Sequence, residues 1–345
     1  MTMKLGYVYS PIFLMHSAAG HPEAPQRLEA ILQVWQDMHL TDALLTIEPT
    51  PATEERLRRV HSQKHLNTIE YGDRRGGIQI DGDTYMNQYS RDAAYLAAGA
   101  AINAVDAVMT GIVDASFSLA RPPGHHATRD LAMGFCLFNN VAVAAQYAID
   151  HYHLERVLIV DFDVHHGNGT QDIFYAQSDV FYFSTHRYPF YPGSGHWRDI
   201  GAEAGRGYTL NVPLPHSVGN AQFARVFDEL LYPAMKRYQP QLVLVSAGYD
   251  AHWADPLGAL TLLDSAGYFY ITQALHNIAR EFAQGRIAFI LEGGYNFDAL
   301  AWSSYASARA LLGKTNDDDP VGPPPRAAQD ITDLIAHLKN LHRLD

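Results

Sequence analysis

The chain has 345 residues, of which 47% are hydrophobic and 18% are charged. This balance is typical of a globular, core-forming protein and excludes an intrinsically disordered chain. A formal net charge of −12 argues against nonspecific nucleic-acid binding, which needs a basic surface. The same acidity favours solubility, and it can attract cationic substrates such as basic peptides or polyamines.

The single cysteine, Cys136, excludes an internal disulfide and fits a reducing compartment. The stretch from Met1 to Ser10 lacks the charged segment and long apolar run of a secretory signal. No run approaches the roughly 18 apolar residues that a membrane span needs. We therefore expect a cytoplasmic protein that binds neither membranes nor nucleic acid, and the sequence leaves open whether it forms an oligomer.

Short apolar runs alternate with helical patterns along the chain. The runs that predict strands are Leu5–Tyr9, Ala115–Leu119, Val157–Phe162, Val180–Ser184, Tyr208–Val212, Leu242–Ser246 and Ile287–Leu291. Continuous β-branched runs are typical of strands buried on both faces of a parallel sheet. Helices are predicted at 26–38, 138–151, 220–237 and 298–311, and two more begin at the capping residues Ser90 and Asp264.

This alternation predicts one domain over residues 1–345, built as a three-layer α/β/α sandwich with a mostly parallel sheet. A proline-rich break, Pro320 to Pro325, precedes a final amphipathic helix predicted at about 327–342. In open parallel sheets, ligands bind beyond the carboxyl ends of the strands. The residues that follow each predicted strand are therefore the first candidates for a functional site.

Polar side chains follow four of the predicted strands, so they would meet at one rim. They are His125 and His126, the segment Asp161 to His165, Asp250, and the segment Glu292 to Tyr295. A His-His pair alone is usually structural, and Asp-x-Asp or Gly-Gly-Tyr alone is more often a turn. The prediction of a site depends on their occurrence together at the ends of several strands.

The segment Asp161-Phe-Asp163-Val-His165 is the centre of this predicted cluster. Residues two apart on a strand point to the same side, so its two carboxylates and imidazole project together if the extended conformation persists. Such a group is costly to bury without a cation. Aspartate and histidine ligands suit Zn²⁺, and a third ligand from another strand, for which Asp250 is the candidate, would leave a position open for water. The same ligand types also accept Fe²⁺ or Co²⁺.

The other histidines carry weaker expectations. His61, His65 and His342 are expected on the surface or on helix faces. Four others lie in loops that could reach the rim of the site, namely His16, His186, His216 and His252.

Taken together, the motifs resemble those of the histone deacetylase family, including acetylpolyamine amidohydrolases and bacterial relatives. The resemblance covers roughly residues 4 to 312, in the family's order, and the His21-Pro-Glu and His-His-Gly-Asn forms are closer to class II members than to class I. The segments that carry it are His21–Arg27, Arg121–Ala127, Gly134–Asn140, Asp161–Gly169, Ser184–His186, Tyr191–Gly193, Asp250 with Asp255–Gly258, and Glu292–Tyr295. The family fold is the arginase-like α/β/α sandwich.

The resemblance implies a zinc-dependent amidohydrolase that removes an acetyl or other short acyl group from an amine. The zinc ligands that it implies, for one ion per chain, are Asp163, His165 and Asp250. The catalytic residues that it implies are the tandem His125 and His126, Asp161 paired with His125, Asn168 paired with His126, and Tyr295. His126 would act as general base and later as general acid, and Tyr295 would polarise the substrate carbonyl.

One departure from class I concerns Asn168, which stands where many relatives have aspartate. A neutral amide stabilises imidazolium less than a carboxylate does. We therefore expect a lower pKa for His126 than it would have beside aspartate, which keeps it available as a base at neutral pH.

The resemblance also implies a substrate tunnel and a second ion. The tunnel residues that it implies are Gly134, Phe135 and Tyr191 in the wall, Leu257 at a gatekeeper-like position, and Asp83 at the rim. The residues that match a structural potassium site are Asp161, Asp163, His165, Ser184 and Thr185.

Two alternative functions stay open at this point. The first is an acetylpolyamine amidohydrolase, but such relatives commonly narrow the entrance with an insertion or an acidic gatekeeper. Leu257, and the short stretch between His65 and Ser90, favour acyl-lysine in peptides or proteins, or small acyl amides. The second is an inactive module that only binds acyl groups, which the intact set of catalytic residues disfavours.

Overall fold

A computed structural model describes residues 3–258, 260–317 and 319–344. Its eight-stranded central sheet is formed by β1 (Leu5–Val8), β2 (Leu44–Ile47), β5 (Ala115–Ser118), β6 (Val157–Asp161), β7 (Val180–Arg187), β8 (Thr209–Leu214), β9 (Leu242–Ala247) and β10 (Ile287–Leu291). The strand order is β2-β1-β5-β10-β9-β6-β7-β8, and neighbouring strands are parallel throughout. A separate antiparallel pair is formed by β3 (Gly77–Gln79) and β4 (Tyr85–Asn87).

Helices cover both faces of the central sheet. They are α1 (Gln26–Asp37), α2 (Glu54–Arg58), α3 (Gln63–Arg74), α4 (Ser90–Met109), α5 (Asn140–Tyr152), α6 (Asn168–Phe174), α7 (Asn220–Val226), α8 (Tyr232–Tyr238), α9 (Ser265–Phe282), α10 (Phe297–Leu311) and α11 (Thr332–His342). On one face α1, α10 and α9 pack side by side, and on the other α4 packs against α5. No helix in the described part of the chain is long and apolar enough to cross a membrane.

The predicted three-layer α/β/α sandwich with a mostly parallel sheet is confirmed. Every residue of β6, β9 and β10 is buried, as expected for central strands covered by helices on both faces. Each of the seven predicted strands is present in the sheet, with shifts of a few residues at the ends. The carboxyl ends of the central strands therefore meet at one edge, where the predicted site residues follow them.

Several details of the predicted elements were wrong. Strands β2, β3 and β4 were not predicted, because they are only three or four residues long, and β2 and β3 are also partly exposed, so their hydrophobic pattern is weak. The predicted helix 220–237 is interrupted by a π-helical turn, Phe227–Leu231, between α7 and α8. The final helix begins at Thr332 rather than at about 327. Asp264 caps α9 as predicted, accepting the Gly267 N–H at 3.1 Å, whereas Ser90 is the first residue of α4 rather than its cap.

The expectation that His61 and His65 lie on the surface was also wrong. Both are 1% exposed, and their rings stack with centroids 4.5 Å apart. The two ring nitrogens of His61 bond to the Thr128 carbonyl at 2.8 Å and to the Asn139 N–H at 2.9 Å. These imidazoles satisfy backbone groups of the segment that carries Gly134, which a sequence pattern does not reveal. His342, which was also expected on the surface, is only 6% exposed, and His16, His186 and His252 are buried as well.

Candidate active site

The sheet topology gathers the candidate residues at the carboxyl ends of neighbouring strands. Strand β6 ends at Asp161, and β9, its neighbour, is followed by Asp250. Strand β10, next to β9, is followed by Glu292, and β5, next to β10, leads to His125 and His126. Four strands that are separated in the sequence therefore contribute to one cluster, and β7 lies beside β6 at the edge of this group.

Asp163, His165 and Asp250 form a buried group that can hold a metal ion. Their ligand atoms all lie within 4.8 Å of one another. The His165 Nδ1 is 3.1 Å from an oxygen of each carboxylate. The remaining oxygens accept backbone N–H groups, Asp163 from Gly293 at 2.9 Å and Asp250 from Val164 at 2.8 Å. Both carboxylates are thus fixed in orientation, and each keeps an oxygen directed toward the other members of the group.

The charges of this group favour a cation. Burial, followed by the nearby Asp163 carboxylate, raises the pKa of Asp250 to about 7. Although burial opposes a charged imidazole, hydrogen bonds and charge from both carboxylates raise the pKa of His165 to about 10. Two buried carboxylates that repel each other need a positive partner, and without a bound ion the protonated His165 supplies that charge. A divalent cation with oxygen and nitrogen ligands meets that need.

Gly293 lets the backbone approach the two carboxylates closely. A Cβ at this position would lie 2.2 Å from Asp250 Oδ2 and 2.5 Å from Asp163 Oδ2. Both atoms belong to buried side chains that are also held by backbone hydrogen bonds. Any larger residue at 293 would therefore displace the carboxylates from their common position.

The tandem histidines have different partners. His125 Nδ1 lies 3.1 Å from Asp161 Oδ2, whereas His126 Nδ1 lies 2.8 Å from Asn168 Oδ1. Because the amide oxygen accepts, Nδ1 of His126 carries the hydrogen and Nε2 keeps its lone pair. The centroids of the two imidazole rings are 4.0 Å apart. His126 is therefore arranged as a neutral base, with its free nitrogen opposite the bonded one.

The pKa of His126 is lowered well below its usual value, and whether Asn168 lowers it relative to an aspartate stays a prediction. Burial is the largest cause, and the charges of His125 and His165 come next. The hydrogen bond to Asn168 acts in the opposite sense and raises the pKa. The predicted weakness of the amide as a partner is thus secondary to desolvation and to the neighbouring imidazoles.

Tyr295 is held beside the metal-binding group by its backbone and its ring. Its N–H donates to Asp255 Oδ2 at 2.6 Å, and its ring lies 5.1 Å from the Arg27 guanidinium carbon. The Phe135 ring packs edge-on against it at 5.8 Å. Burial raises the pKa of Tyr295 well above its usual value. The phenol therefore stays protonated and able to donate a hydrogen bond.

The predicted tunnel residues surround His126. Gly134 has φ +56°, and a Cβ there would lie 2.4 Å from His126 Cδ2. The Tyr191 ring stands perpendicular to that of His126 at 5.1 Å. Phe190, which was not predicted, stacks on the His165 ring at 5.3 Å. Together with Phe135 these side chains place aromatic surface around the approach to the cluster.

Asp83 and Leu257 are connected to residues near the cluster by backbone hydrogen bonds. Asp83 is exposed, and its carbonyl oxygen bonds to His21 Nε2 at 2.9 Å. Its neighbour Thr84 accepts the Phe135 N–H at 3.1 Å, so Asp83 adjoins the tunnel wall. Leu257 is half-buried, and its N–H donates to Asp255 Oδ1 at 2.8 Å. Both positions are compatible with contacts to a substrate at the rim.

Of the predicted potassium ligands, Asp161 lies on β6, Ser184 and Thr185 lie on the neighbouring β7, and Asp163 and His165 follow β6 in the chain. Asp161 on β6 and Ser184 on β7 are paired in register. The Ser184 hydroxyl is 2.9 Å from His186 Nδ1. The hydroxyl of Thr185 is buried without a hydrogen-bond partner among the described residues.

Glu292 and Asp255 were not predicted to have a role, although both are buried. Glu292 Oε2 accepts the N–H groups of Gly124 at 2.7 Å and His125 at 3.1 Å. Burial raises the pKa of Glu292 to about 7. Glu292 begins the Glu-Gly-Gly-Tyr motif, so its place in the sequence could have indicated a role in the site. Nothing in the sequence indicates its contact with His125, which is 167 residues away.

Comparisons with known proteins agree with this geometry. A model of the histone deacetylase domain matches residues 21–311. Histone deacetylase 10, chloroplastic, of Oryza sativa subsp. japonica is 39% identical over 98% of this chain and 81% of its own length. A histone deacetylase-like amidohydrolase of Pseudomonas aeruginosa is 40% identical over 89% of this chain and 80% of its own length.

A solved structure shows the same fold. The crystal structure of the HDA15 HD domain is 36% identical and superposes with a TM-score of 0.90, covering 99% of this chain and 95% of that one. The arginase/deacetylase-like fold inferred from the motifs is therefore confirmed. On the combined match of sequence, fold and domain model, this chain belongs to the histone deacetylase family.

Proposed function

We propose that this chain is a metal-dependent deacetylase that hydrolyses an acetyl or other short acyl amide to a carboxylate and a free amine. The observation that carries the proposal is the buried group of Asp163, His165 and Asp250, with His126 and Tyr295 beside it. Family membership supports the reaction class.

The metal would be held by the two carboxylates and the imidazole of this group. Aspartate and histidine ligands suit Zn²⁺, and Fe²⁺ or Co²⁺ also fit. Three protein ligands leave a coordination position open. When bound there, such an ion supplies Lewis acidity that polarises an acyl carbonyl and acidifies a water.

The proton transfers fall to His126. Its unprotonated Nε2 takes a proton from the attacking water as the new carbon–oxygen bond forms. The same nitrogen then returns the proton to the leaving amine as the carbon–nitrogen bond breaks. The hydrogen bond from Nδ1 to Asn168 keeps a hydrogen on Nδ1, so that Nε2 is the nitrogen that gains and loses the proton.

Tyr295 stabilises the charge that develops on the acyl oxygen. Its protonated hydroxyl donates a hydrogen bond, and this interaction strengthens as the tetrahedral intermediate forms. The Arg27 guanidinium beneath the ring and the Asp255 carboxylate at the backbone fix its position before the substrate arrives.

The substrate we propose is acyl-lysine in a peptide or protein. The aromatic rings of Phe135 and Tyr191 suit an extended aliphatic chain that carries the acyl group. Asp83, exposed beside the tunnel wall, can accept hydrogen bonds from a peptide backbone. Leu257 places no charge at the entrance, which disfavours a cationic acetylpolyamine.

The test compares kcat/KM for an acetyl-lysine peptide and for N-acetylated polyamines with the zinc-loaded protein. We expect a preference for the peptide. Leu257→Glu should shift the preference toward the polyamines by adding a negative charge. Leu257→Gln should not, because glutamine is similar in size to glutamate but neutral. A polyamine preference in the unaltered chain would favour the alternative substrate, and turnover of neither would leave a module that only binds acyl groups.

We further propose a structural potassium ion at Asp161, Asp163, His165, Ser184 and Thr185. Support comes from the pairing of Asp161 with Ser184 across β6 and β7. A cytoplasmic location also stays a prediction, and one similar protein is named as chloroplastic.

A further inference from the structure

The C-terminal strap, defined here as residues 313–317 and 319–344, lies beyond the residues that the family model matches. It turns back along α10, where Asp317 bonds to the Tyr305 hydroxyl at 2.8 Å and to Arg309 at 2.9 Å. It then reaches the loop that follows Asp250. The strap thus leads from the end of the matched domain back to the candidate active site.

Asp319 is the main contact between the strap and that loop. One of its oxygens lies 3.4 Å from His252 Nε2 and accepts the Ser265 N–H at 3.3 Å, and the other accepts the Val321 N–H at 2.8 Å. The His252 side chain is completely buried. Its Nδ1 accepts the Ala254 N–H at 3.1 Å, so Nε2 carries the hydrogen that points at Asp319.

A second contact lies at the next residue of the loop. Trp253 Nε1 donates to the Gly322 carbonyl at 2.8 Å. His252 and Trp253 are consecutive, so two adjacent side chains of the loop are tied to the strap. The loop is therefore held by contacts with residues that lie outside the part of the chain that the family model matches.

The same loop carries groups on which the site depends. It begins at Asp250, which belongs to the metal-binding group. It also contains Asp255, whose Oδ2 accepts the N–H groups of Tyr295 at 2.6 Å and Asn296 at 3.0 Å. A shift of this loop would move a metal ligand and the Tyr295 backbone together.

The far end of the strap contacts the opposite wall of the site. His337 on α11 packs against the Trp197 ring at 4.2 Å. Trp197 belongs to the loop that also carries Phe190 and Tyr191. Buried apolar residues of the strap hold this end in place, namely Ile331, Ile335, Leu338 and Leu344.

We propose that Asp319 is a positioning residue, which acts through His252 to hold the loop of residues 250–258 and with it Asp250 and Asp255. The strap then contributes to the geometry of the site. This inference rests on the proposed function, because it assigns Asp250 to the metal.

The test uses Asp319→Ala and, as a matched control, Asp317→Ala. Each variant removes one carboxylate from the strap, but only Asp319 touches the loop. In Asp319→Ala we expect metal affinity, measured by chelator competition with Zn²⁺, to fall about 10-fold, as for residues that orient metal ligands. We expect amide hydrogen exchange in residues 251–258 to become faster by a similar factor. Asp317→Ala should change both by less than about 2-fold, because its partners Tyr305 and Arg309 lie on α10 and not in the loop.

Asp319→Asn gives a graded check, because its amide oxygen can still accept from His252. It should recover part of the lost affinity. Thermal unfolding of each variant identifies any that fails to fold. Equal effects of Asp317→Ala and Asp319→Ala, or no effect of either, would overturn the proposal. If the unaltered chain binds no Zn²⁺, the proposed function fails, and the exchange rates still report whether Asp319 holds the loop.

Discussion

His125 and His126 are adjacent in the chain, but their pKa values move in opposite directions. Although burial opposes its charge, Asp161 and Asp163 raise the pKa of His125 to about 10. Burial and the neighbouring imidazoles lower that of His126. One ring is therefore suited to stay charged beside a carboxylate, while the other is suited to accept a proton from water.

Replacing Tyr295 by phenylalanine tests the role of its hydroxyl. The ring and its packing against Phe135 and Arg27 stay, so the substrate should still bind. We expect kcat to fall by roughly 100- to 1000-fold with a modest change in KM, as when a single oxyanion donor is removed. Steady-state kinetics with Tyr89→Phe, at an exposed tyrosine, provide the control. Near-normal turnover in Tyr295→Phe would refute the assignment.

Asn168→Asp tests how the partner of His126 sets its protonation. A carboxylate at 2.8 Å from Nδ1 would favour the charged imidazole and raise its pKa by roughly one unit or more. Because the base must be unprotonated, the acid limb of the kcat/KM profile should move to higher pH by the same amount. A profile that does not move would mean that His126 is not the titrating base.

At the scale of elements, the turn after β10 depends on a glycine. Gly293→Ala would place a Cβ 2.2 Å from Asp250 Oδ2, so the two carboxylates would have to separate. We expect Zn²⁺ affinity to fall by at least about 10-fold, because the ligand geometry is disturbed directly. Gly82→Ala, where no atom lies within 4 Å of the added Cβ, is the control. Equal affinities in both variants would contradict the close approach seen at Gly293.

The sequence predicted the central elements because their signals are local. The long buried runs of β6, β9 and β10 and the caps of the main helices lie within single segments. Because the carboxyl ends of parallel strands lie at one edge of a sheet, His126, Asp163 and Asp250 were then predicted to lie together at that edge. Strands β2, β3 and β4 were not predicted because they are only three or four residues long, and β2 and β3 are also partly exposed.

Other parts of the site depend on contacts between distant segments. Phe190 stacks on His165 only because β7 lies next to β6. Asp319 reaches His252 after the chain has turned back along α10. No periodicity or spacing marks such pairs, so a single sequence does not predict them.

At the scale of the whole molecule, buried ionisable groups away from the metal-binding group make stability depend on pH. Burial, followed by the charge of His65, lowers the pKa of His61 from 6.5 to about 3. Burial opposes the charge of Glu23, but Arg121 and Arg27 lower its pKa to about 2. In both cases the unfolded chain binds protons at a higher pH than the folded one, so acid favours unfolding.

His61→Gln isolates one of these contributions. Between pH 6 and pH 4 the unfolded His61 is charged and the folded one is neutral, so the unaltered chain should lose about 1.4 kcal/mol of unfolding free energy per pH unit from this group. The variant should lack this part of the slope, although it is less stable at pH 7. Urea unfolding at several pH values measures both slopes, and identical slopes would contradict the neutral, buried His61. Glu23 contributes only below about pH 4.5.

We propose that Asp163, His165 and Asp250 hold one catalytic metal ion. To test this assignment, metal content and acetate release from an acetyl-lysine peptide are measured after chelation and again after Zn²⁺ is restored, beside His165→Ala. We predict one ion per chain, loss of activity with the ion, recovery on reloading, and neither tight binding nor turnover in His165→Ala. Full activity in the metal-free protein, or one tightly bound ion in His165→Ala, would contradict this assignment of the metal site.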